Sequence, residues 1–125
     1  MDITPLVPTG IQIIQSYGDG GFKISDHIFK SSVLVMGTHT LELPITSAEQ
    51  LDVAALEPIL LQIPPTELLF LGTGKTMQLP TETIREWSRK NRMALEFMDT
   101  GAACRTYNIL ASEGRRVTAV LVAVS

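Results

Sequence analysis

The chain has 125 residues, of which 45% are hydrophobic and 18% are charged, and its formal net charge is −3. A chain of this length buries a core without disulfide staples, so we expect a single domain over residues 1–125. The negative charge argues against a nucleic-acid-binding protein, and the charged share, below the roughly 25% of an average domain, suits a homo-oligomer or an obligate protein partner.

The chain begins with a segment that favours irregular structure, followed by a hairpin. Prolines and a glycine interrupt residues 1–10, and these residue types block regular structure there. Residues 11–17 and 22–24 have strand composition. The glycine-rich residues 18–21 between them predict a hairpin with a four-residue loop.

Two more short strands are predicted before the first helix. Residues 32–36 are rich in β-forming side chains, Gly37 turns the chain, and residues 39–43 predict a strand that pairs back. We therefore expect an N-terminal antiparallel β unit over residues 1–43. The remaining residues, 44–125, are expected to alternate between helix and strand.

The first helix is predicted from a capping signal. Ser47 stands three residues before Gln50, which is the spacing of a capping box, and apolar residues continue at helical spacing after it. Pro58 ends or kinks this helix, because proline lacks the N–H that an inner turn needs.

The second half of the chain alternates between strands and helices. Short apolar runs predict the strands, and capping residues, glycines and prolines mark the helix ends. The predicted elements are a strand over 67–71, a helix between Pro80 and Asn91, a strand over 93–98, a helix over 101–112 and a strand over 117–124. This order favours parallel pairing through right-handed crossovers, so we predict an α/β fold.

Two of these strands end in glycine turns. Gly72-Thr73-Gly74 follows the first strand, and Asp99-Thr100-Gly101 follows the second and leads straight into a helix. Because the carboxyl ends of neighbouring parallel strands meet at one edge of a sheet, we expect a cleft there, lined with backbone N–H groups. The first turn does not match a nucleotide-binding P-loop, since Leu69 stands where that motif needs its first glycine.

Each polar group at the start of this helix has two interpretations. Asp99 or Thr100 either caps the helix or holds an anion or a carbonyl at its N-terminus. Cys104 is either a packed side chain or a thiolate activated by the helix end and by Arg105. Arg105 and Asn108 share a helix face, where they either clamp a carboxylate or phosphate or join a solvated ion-pair network.

Metal binding and targeting find no support in the sequence. A single cysteine excludes an intrachain disulfide, and two distant histidines make no ligand set, so we expect no metal and no cofactor. No apolar run approaches the ~20 residues of a transmembrane helix, and the first residues lack a targeting pattern. We therefore expect a cytoplasmic protein without a transmembrane segment.

Basic side chains are concentrated in one section of the chain. Residues 85–116 carry seven of the ten basic side chains and four acidic ones, which gives this section a charge of +3. The section either faces an anionic partner or ligand, or consists of a solvated helix and two loop arginines.

The candidate ligand- or partner-binding residues are Gly72, Thr73, Gly74, Asp99, Thr100, Gly101, Cys104, Arg105 and Asn108. No catalytic residue is assigned, because no paired carboxylates and no Ser-His-Asp arrangement follow from the spacing.

Several runs of the sequence together resemble a known family. These runs are Gly72-Thr73-Gly74, residues 98–110, residues 113–119, residues 17–24 and residues 32–35. They resemble a family of domains of unknown function whose eukaryotic member is the mitochondrial NADH:ubiquinone oxidoreductase (complex I) assembly factor of subtype three. The resemblance implies a three-layer fold with a mixed central sheet between helices, a protein partner in respiratory complex assembly, and no established enzymatic activity. Because the first residues carry no mitochondrial presequence, we expect a bacterial cytosolic member.

Two functions follow from these observations. The first is a non-enzymatic interaction or assembly module that presents its basic face to a protein partner. The second is a small-molecule binder or enzyme that holds an anionic ligand in the cleft between the Gly72–Gly74 turn and the Asp99–Arg105 helix start. Replacing Arg105 by alanine distinguishes the two functions, because only the second requires the loss of ligand-induced stabilisation.

Overall fold

A computed structural model describes residues 10–125. The irregular start expected over residues 1–10 therefore lies, except for Gly10, outside the described residues. The strands are β1 (Ile14–Gly18), β2 (Gly21–Ile24), β3 (His27–Phe29), β4 (Ser32–Val35), β5 (Thr40–Leu43), β6 (Leu68–Gly72), β7 (Ala94–Met98) and β8 (Val117–Leu121). The α-helices are α1 (Glu82–Lys90) and α2 (Thr100–Ser112). Within residues 10–125 no helix has the length and apolar character that crossing a membrane requires.

Strands β4 to β8 form the central sheet, in the order β5-β4-β8-β6-β7. β6 lies between β7 and β8 and is parallel to each of them, while β4 and β5 run antiparallel at the other side of the sheet. The parallel pairing predicted for the second half of the chain is confirmed. Every residue of β8 is buried, as expected of a strand that is covered on both faces.

Two hydrophobic cores cover opposite faces of this sheet. Leu69 and Leu71 of β6 pack in one core with Ile84 of α1, and Phe70 packs in the other core with Tyr107 of α2. The small sheet β1-β2-β3 lies on the α2 side, where it contributes Ile14, Phe22 and Ile24. The predicted α/β fold, a mixed sheet between helices with an N-terminal antiparallel sheet, is confirmed.

The first hairpin has a shorter loop than the sequence predicts. Gly18 pairs with Gly21, so only Asp19 and Gly20 form the turn, with φ values of 51° and 78°. Two residues with positive φ match the twist of a two-residue hairpin turn. A second turn at Ser25-Asp26, also with positive φ, leads into β3. The sequence analysis missed β3 because this turn contains neither glycine nor proline.

The last part of the predicted β unit belongs to the central sheet. β4 pairs with β5, as predicted, and also with β8, where Leu34 lies opposite Val120. Val33 and Val35 enter the core on the α2 side, and Leu34 enters the other core. Because β4 is apolar on both faces, it requires cover on both sides. The described part of the predicted β unit, residues 10–43, is therefore divided between the two sheets.

The α-helix predicted from Ser47 onward is wrong. The chain instead forms two 3₁₀ segments, Ala48–Gln50 and Val53–Leu61, and Pro58 lies inside the second of them. Proline removes an N–H and its ring clashes with the carbonyl four residues earlier, which disfavours a regular α-helix there. Part of the capping signal is real, since the Gln50 side-chain oxygen accepts the Ser47 N–H at 3.2 Å.

We expect Gly72→Ala to destabilise the protein, because α2 packs directly on this glycine. A Cβ at Gly72 would lie 3.0 Å from Cα of Thr100 and 3.1 Å from Cβ of Ala103. Such overpacking typically lowers the free energy of unfolding by about 1–3 kcal/mol. Urea denaturation measures this change. Gly37→Ala is the control, because a Cβ there meets no atom within 4 Å; equal losses in the two variants would contradict the close approach of α2.

Candidate functional site

The two glycine turns are neighbours in the structure. Gly72 at the end of β6 lies opposite Met98 at the end of β7. The Thr73 N–H donates to the Met98 carbonyl at 2.9 Å, and the Thr100 N–H donates to the Gly74 carbonyl at 2.8 Å. The expected meeting of these strand ends at one sheet edge is confirmed.

Two buried threonine hydroxyls hold the turns together. Thr100 Oγ1 accepts the Gly74 N–H at 2.9 Å and donates to the Val122 carbonyl at 2.7 Å. Thr73 Oγ1 donates to the Thr76 carbonyl at 2.7 Å and accepts the Gln78 N–H at 3.0 Å. Each hydroxyl thus acts as donor and acceptor at once, which satisfies polar groups that burial has removed from water.

These contacts close the cleft that the sequence predicts between the Gly72–Gly74 turn and the start of α2. The Gly74 N–H is already donated to Thr100, and the Thr73 N–H is donated to Met98. Gly72, Thr73, Gly74, Thr100 and Gly101 are all buried. The chain itself therefore takes up the N–H groups of Thr73, Gly74 and Thr100, which the sequence analysis expected to line an open cleft there.

Asp99 acts as the N-cap of α2. Its carboxylate accepts the Ala102 N–H at 2.9 Å, and its backbone is extended, as the residue before a helix should be. The carboxylate occupies the place at the helix N-terminus where an anionic ligand would otherwise be favoured. Of the two interpretations of this residue, the geometry matches the cap.

Cys104 packs into the core on the α2 side. Its side chain is 3% exposed, and burial raises the pKa of its thiol to about 12, against a smaller lowering by Arg105. A thiol with so high a pKa is protonated at neutral pH, and the thiolate is the nucleophilic form. The geometry matches the packed side chain and not the activated nucleophile.

Asn108 and Tyr107 of α2 form hydrogen bonds with β1 and with the residues just before that strand. The Asn108 side-chain amide donates to the Ile14 carbonyl at 2.7 Å and accepts the Ile14 N–H at 2.9 Å. The Tyr107 hydroxyl donates to the Gln12 carbonyl at 3.0 Å. Asn108 therefore pairs with β1 as a strand would, and its amide is not available to clamp a ligand with Arg105. The sequence analysis missed this role, because Ile14 and Asn108 are 94 positions apart.

An open hollow lies beside Arg105. Its volume is about 360 Å³, and it is lined by Ile14, Gln15, Ser16, Tyr17, Cys104, Arg105 and Asn108. Tyr17 lies over the first turn of α2, where a Cβ on Gly101 would overlap the Tyr17 hydroxyl. Gly101 thus allows β1 to approach the helix. Tyr17 is 44% exposed. The sequence analysis does not name it as a candidate, although it belongs to one of the runs on which the family resemblance rests.

The remaining candidates line a different hollow. Thr73 and Gly74 border a hollow of about 240 Å³ next to Lys75 and the last residues of the chain. The nine candidates therefore do not share one opening. Within residues 10–125, no three His, Cys, Asp or Glu side chains are grouped as a metal site would need.

The basic section does not form one face. Arg85 and Arg89 lie on α1, and Arg105 lies on α2, so the central sheet separates them. Arg115 and Arg116 pair with Glu67 at 2.9 and 3.1 Å. These contacts lower the pKa of the Glu67 carboxyl. Two of the basic side chains thus pair with a carboxylate just before β6, and Arg105 lies on the opposite side of the sheet from Arg85 and Arg89.

The chain is similar in sequence to known proteins over most of its length. The sequence model of a family described as "Protein of unknown function (DUF498/DUF598)" matches residues 14–122. A Danio rerio protein named NADH dehydrogenase [ubiquinone] 1 alpha subcomplex assembly factor 3 is 34% identical over 88% of this chain. The match covers 63% of that protein, so this chain spans about three fifths of the length of that relative.

Two bacterial proteins match over more of their own length. A "13 kDa major membrane protein" of Francisella tularensis is 27% identical, over 86% of this chain and 88% of that protein. The crystal structure of an outer membrane protein from Bartonella henselae superposes with a TM-score of 0.85 at 30% identity, over 96% of this chain and 100% of that chain. The latter likeness independently supports the fold described above.

We expect the Cys104 thiol to titrate only at high pH and to resist modification in the native state. Burial raises its pKa from 9.0 to about 12, so folding favours the protonated thiol. The resulting stabilisation is complete below pH 9.0 and is lost as the pH rises through about 12. At about pH 8, a disulfide reagent should react slowly with the native protein and fast in urea.

The control for this titration is Cys104→Ala. It should reduce the fall in stability between pH 9.0 and about 12. Tyr107, whose pKa burial also raises, should account for part of the fall that remains. Equal reaction rates in native and unfolded protein would contradict the burial of this thiol.

Proposed function

The chain belongs to the DUF498/DUF598 family, and from this premise we propose that it is a non-enzymatic interaction module in the assembly of a respiratory complex. The observation that carries the proposal is the 34% identity to a protein named as an assembly factor of NADH dehydrogenase, over 88% of this chain. The partner in this role is a protein subunit of that complex.

The contacts of the candidate residues support a binding role over a catalytic one. The hydroxyl groups of Thr73 and Thr100 and the amide of Asn108 are used in hydrogen bonds within the chain. The Cys104 thiol is buried and protonated at neutral pH. Of the candidates on α2, Arg105 alone is exposed. A charged, exposed side chain next to the exposed Tyr17 is typical of a protein interface, where tyrosine and arginine are enriched.

We further propose that the chain acts in the cytosol of a bacterium. The names of the Francisella and Bartonella relatives describe membrane proteins. A membrane-bound fraction is therefore the competing outcome, and fractionation of cells that carry the tagged chain distinguishes the two locations.

Deleting the gene in its native host should lower the amount of assembled NADH:ubiquinone oxidoreductase. The wild-type chain should restore the amount, and Arg105→Ala should restore it only in part, because the interface has lost a charged contact. Native gels stained for NADH oxidation measure the assembled complex. Lys90→Ala, which removes an exposed cation at the end of α1, is the matched control and should restore fully. An unchanged amount of complex in the deletion strain would contradict the proposed function.

A second candidate function rests on the hollow beside Arg105. Its volume of about 360 Å³ lies within the range of small-molecule sites, and Arg105 offers a cation to an anionic ligand. In this candidate function the ligand lies in the hollow between Arg105 and Tyr17, and not in the cleft expected next to the Gly72–Gly74 turn. This candidate predicts that a small anion stabilises the folded state, since a ligand that binds only the native protein raises the melting temperature.

Thermal unfolding with inorganic phosphate and with succinate tests the second candidate. We expect the melting temperature of the wild-type chain to rise with anion concentration and that of Arg105→Ala to rise less. Sodium chloride at equal ionic strength is the control for screening. An equal rise in melting temperature for the two proteins in each anion would exclude Arg105 as an anion site.

A further inference from the structure

Strand β7 is an edge of the central sheet. Among residues 10–125 its partner strand is β6, and no strand lies on its other side. Ala94 and Glu96 are exposed, whereas every residue of β6 after Leu68 is buried. An edge strand presents unpaired backbone groups on which another strand can add. β7 carries one usual protective feature, the exposed charge of Glu96, but it contains no proline, no lysine and no bulge.

The backbone groups of β7 that face outward belong to Leu95 and Phe97. The Ala94 N–H donates to the main-chain carbonyl of Glu67, and the Met98 carbonyl accepts the Thr73 N–H, so the backbone groups of Ala94 and Met98 face β6. Because successive residues of a strand turn their N–H and C=O groups to opposite sides, Leu95 and Phe97 turn theirs away from β6. An added strand would find two N–H donors and two carbonyl acceptors there.

A hollow with two arginines runs beside this edge. It has a volume of about 280 Å³, between α1 and β7, and is lined by Arg85, Ser88, Arg89, Met93, Leu95 and Phe97. Leu95 and Phe97 are half-buried against the core on the α1 side. Within residues 10–125 neither Arg85 nor Arg89 has a carboxylate within 4.0 Å, since the two ion pairs there are those of Glu67. The polar side chains of α1 that line the hollow are thus Ser88 and two arginines without a carboxylate partner. The Ser88 hydroxyl donates to the Ile84 carbonyl at 3.0 Å, and Arg85 Nε donates to the Pro80 carbonyl at 3.2 Å.

The charges at this edge disfavour a second copy of the chain. Two β7 strands that pair antiparallel are related by a two-fold axis perpendicular to the sheet, so the two α1 helices would lie on the same face. Arg85 and Arg89 of one copy would then approach the same arginines of the other. If Leu95 paired with Phe97, the two Glu96 side chains would lie directly opposite each other, and like charges in that position are destabilising.

We propose that β7 and α1 form the docking site for an extended, acidic segment of a partner protein, which adds to the sheet as a sixth strand. Side chains of an added strand that lie opposite Leu95 and Phe97 point to the α1 face, where a carboxylate meets Arg85 and Arg89. Backbone hydrogen bonds give such strand addition its affinity, and the flanking side chains give it specificity. The proposal deepens the proposed function and rests on it in one respect, that the partner is a protein.

A synthetic peptide in which valine alternates with glutamate is the probe for this site. We expect it to bind the full chain in a titration followed by amide NMR shifts, and the peptide with lysine in place of glutamate to bind more weakly. Replacing Arg85 and Arg89 together by alanine should weaken binding of the acidic peptide at least about five-fold, since each exposed pair contributes modestly. Lys90→Ala is the matched control, because Lys90 lies on α1 but does not line the hollow. Equal binding of the two peptides would overturn the proposal.

The backbone part of the proposal is tested at Leu95. Leu95→Pro removes the outward N–H, and proline is tolerated in an edge strand at such a position. Leu95→Ala keeps that N–H but loses a similar part of the side chain. We expect the proline variant to bind the acidic peptide more weakly than the alanine variant. Equal binding by the two folded variants would overturn strand addition at β7.

A measurement on the wild-type chain covers the case in which Leu95→Pro does not fold. Saturating acidic peptide should slow hydrogen exchange of the Leu95 and Phe97 amides, which strand addition pairs, and leave the exposed hairpin between β1 and β2 unchanged. Unchanged exchange at Leu95 and Phe97 would overturn the proposal.

None of these experiments involves a respiratory complex, so their failure leaves the assembly role standing. Conversely, an unaltered complex in the deletion strain leaves the docking site standing.

Discussion

The buried hydroxyl of Thr100 is the contact on which the arrangement of the central sheet and α2 depends. It accepts the Gly74 N–H from the turn after β6 and donates to the Val122 carbonyl just after β8. One side chain at the first position of α2 thereby joins the ends of two strands. A buried hydroxyl that lost either partner would leave an unsatisfied polar group, which costs about 1–3 kcal/mol. This cost keeps the helix start at a single position over the sheet.

The close approach of α2 to β6 follows from the same contact and requires small residues. Position 72 must be glycine-like, because Thr100 and Ala103 of α2 leave no space for a Cβ there. Gly101 likewise admits the Tyr17 ring over the helix, so β1 approaches close enough for Asn108 to pair with Ile14. Gly72, Thr100, Gly101 and Asn108 therefore share a packing role, because the two glycines leave room for a close neighbour and the other two satisfy polar groups of the backbone.

The two surfaces that we propose for ligands or partners lie on opposite sides of the central sheet. Arg105 and Tyr17 face outward on the α2 side of the sheet, and Arg85 and Arg89 face outward on the α1 side, next to the open edge of β7. The central sheet separates these two surfaces, so binding at one leaves the other free.

The sequence by itself determined the α/β fold, most of the strands and both α-helices, because these depend on local apolar runs, capping residues and glycines, as at Asp99 before α2 and Gly72 after β6. It also placed the two glycine turns together, since parallel strands end at one edge. Local patterns did not reveal that β4 joins the central sheet, that Pro58 lies in a 3₁₀ segment, or that Asn108 holds Ile14. Only the tertiary structure decided that the expected cleft is closed and that openings lie beside Arg105 and β7. The physical reason is that hydrogen bonds between residues far apart in the chain take up the backbone donors of the turns, and no local pattern records such long-range pairing.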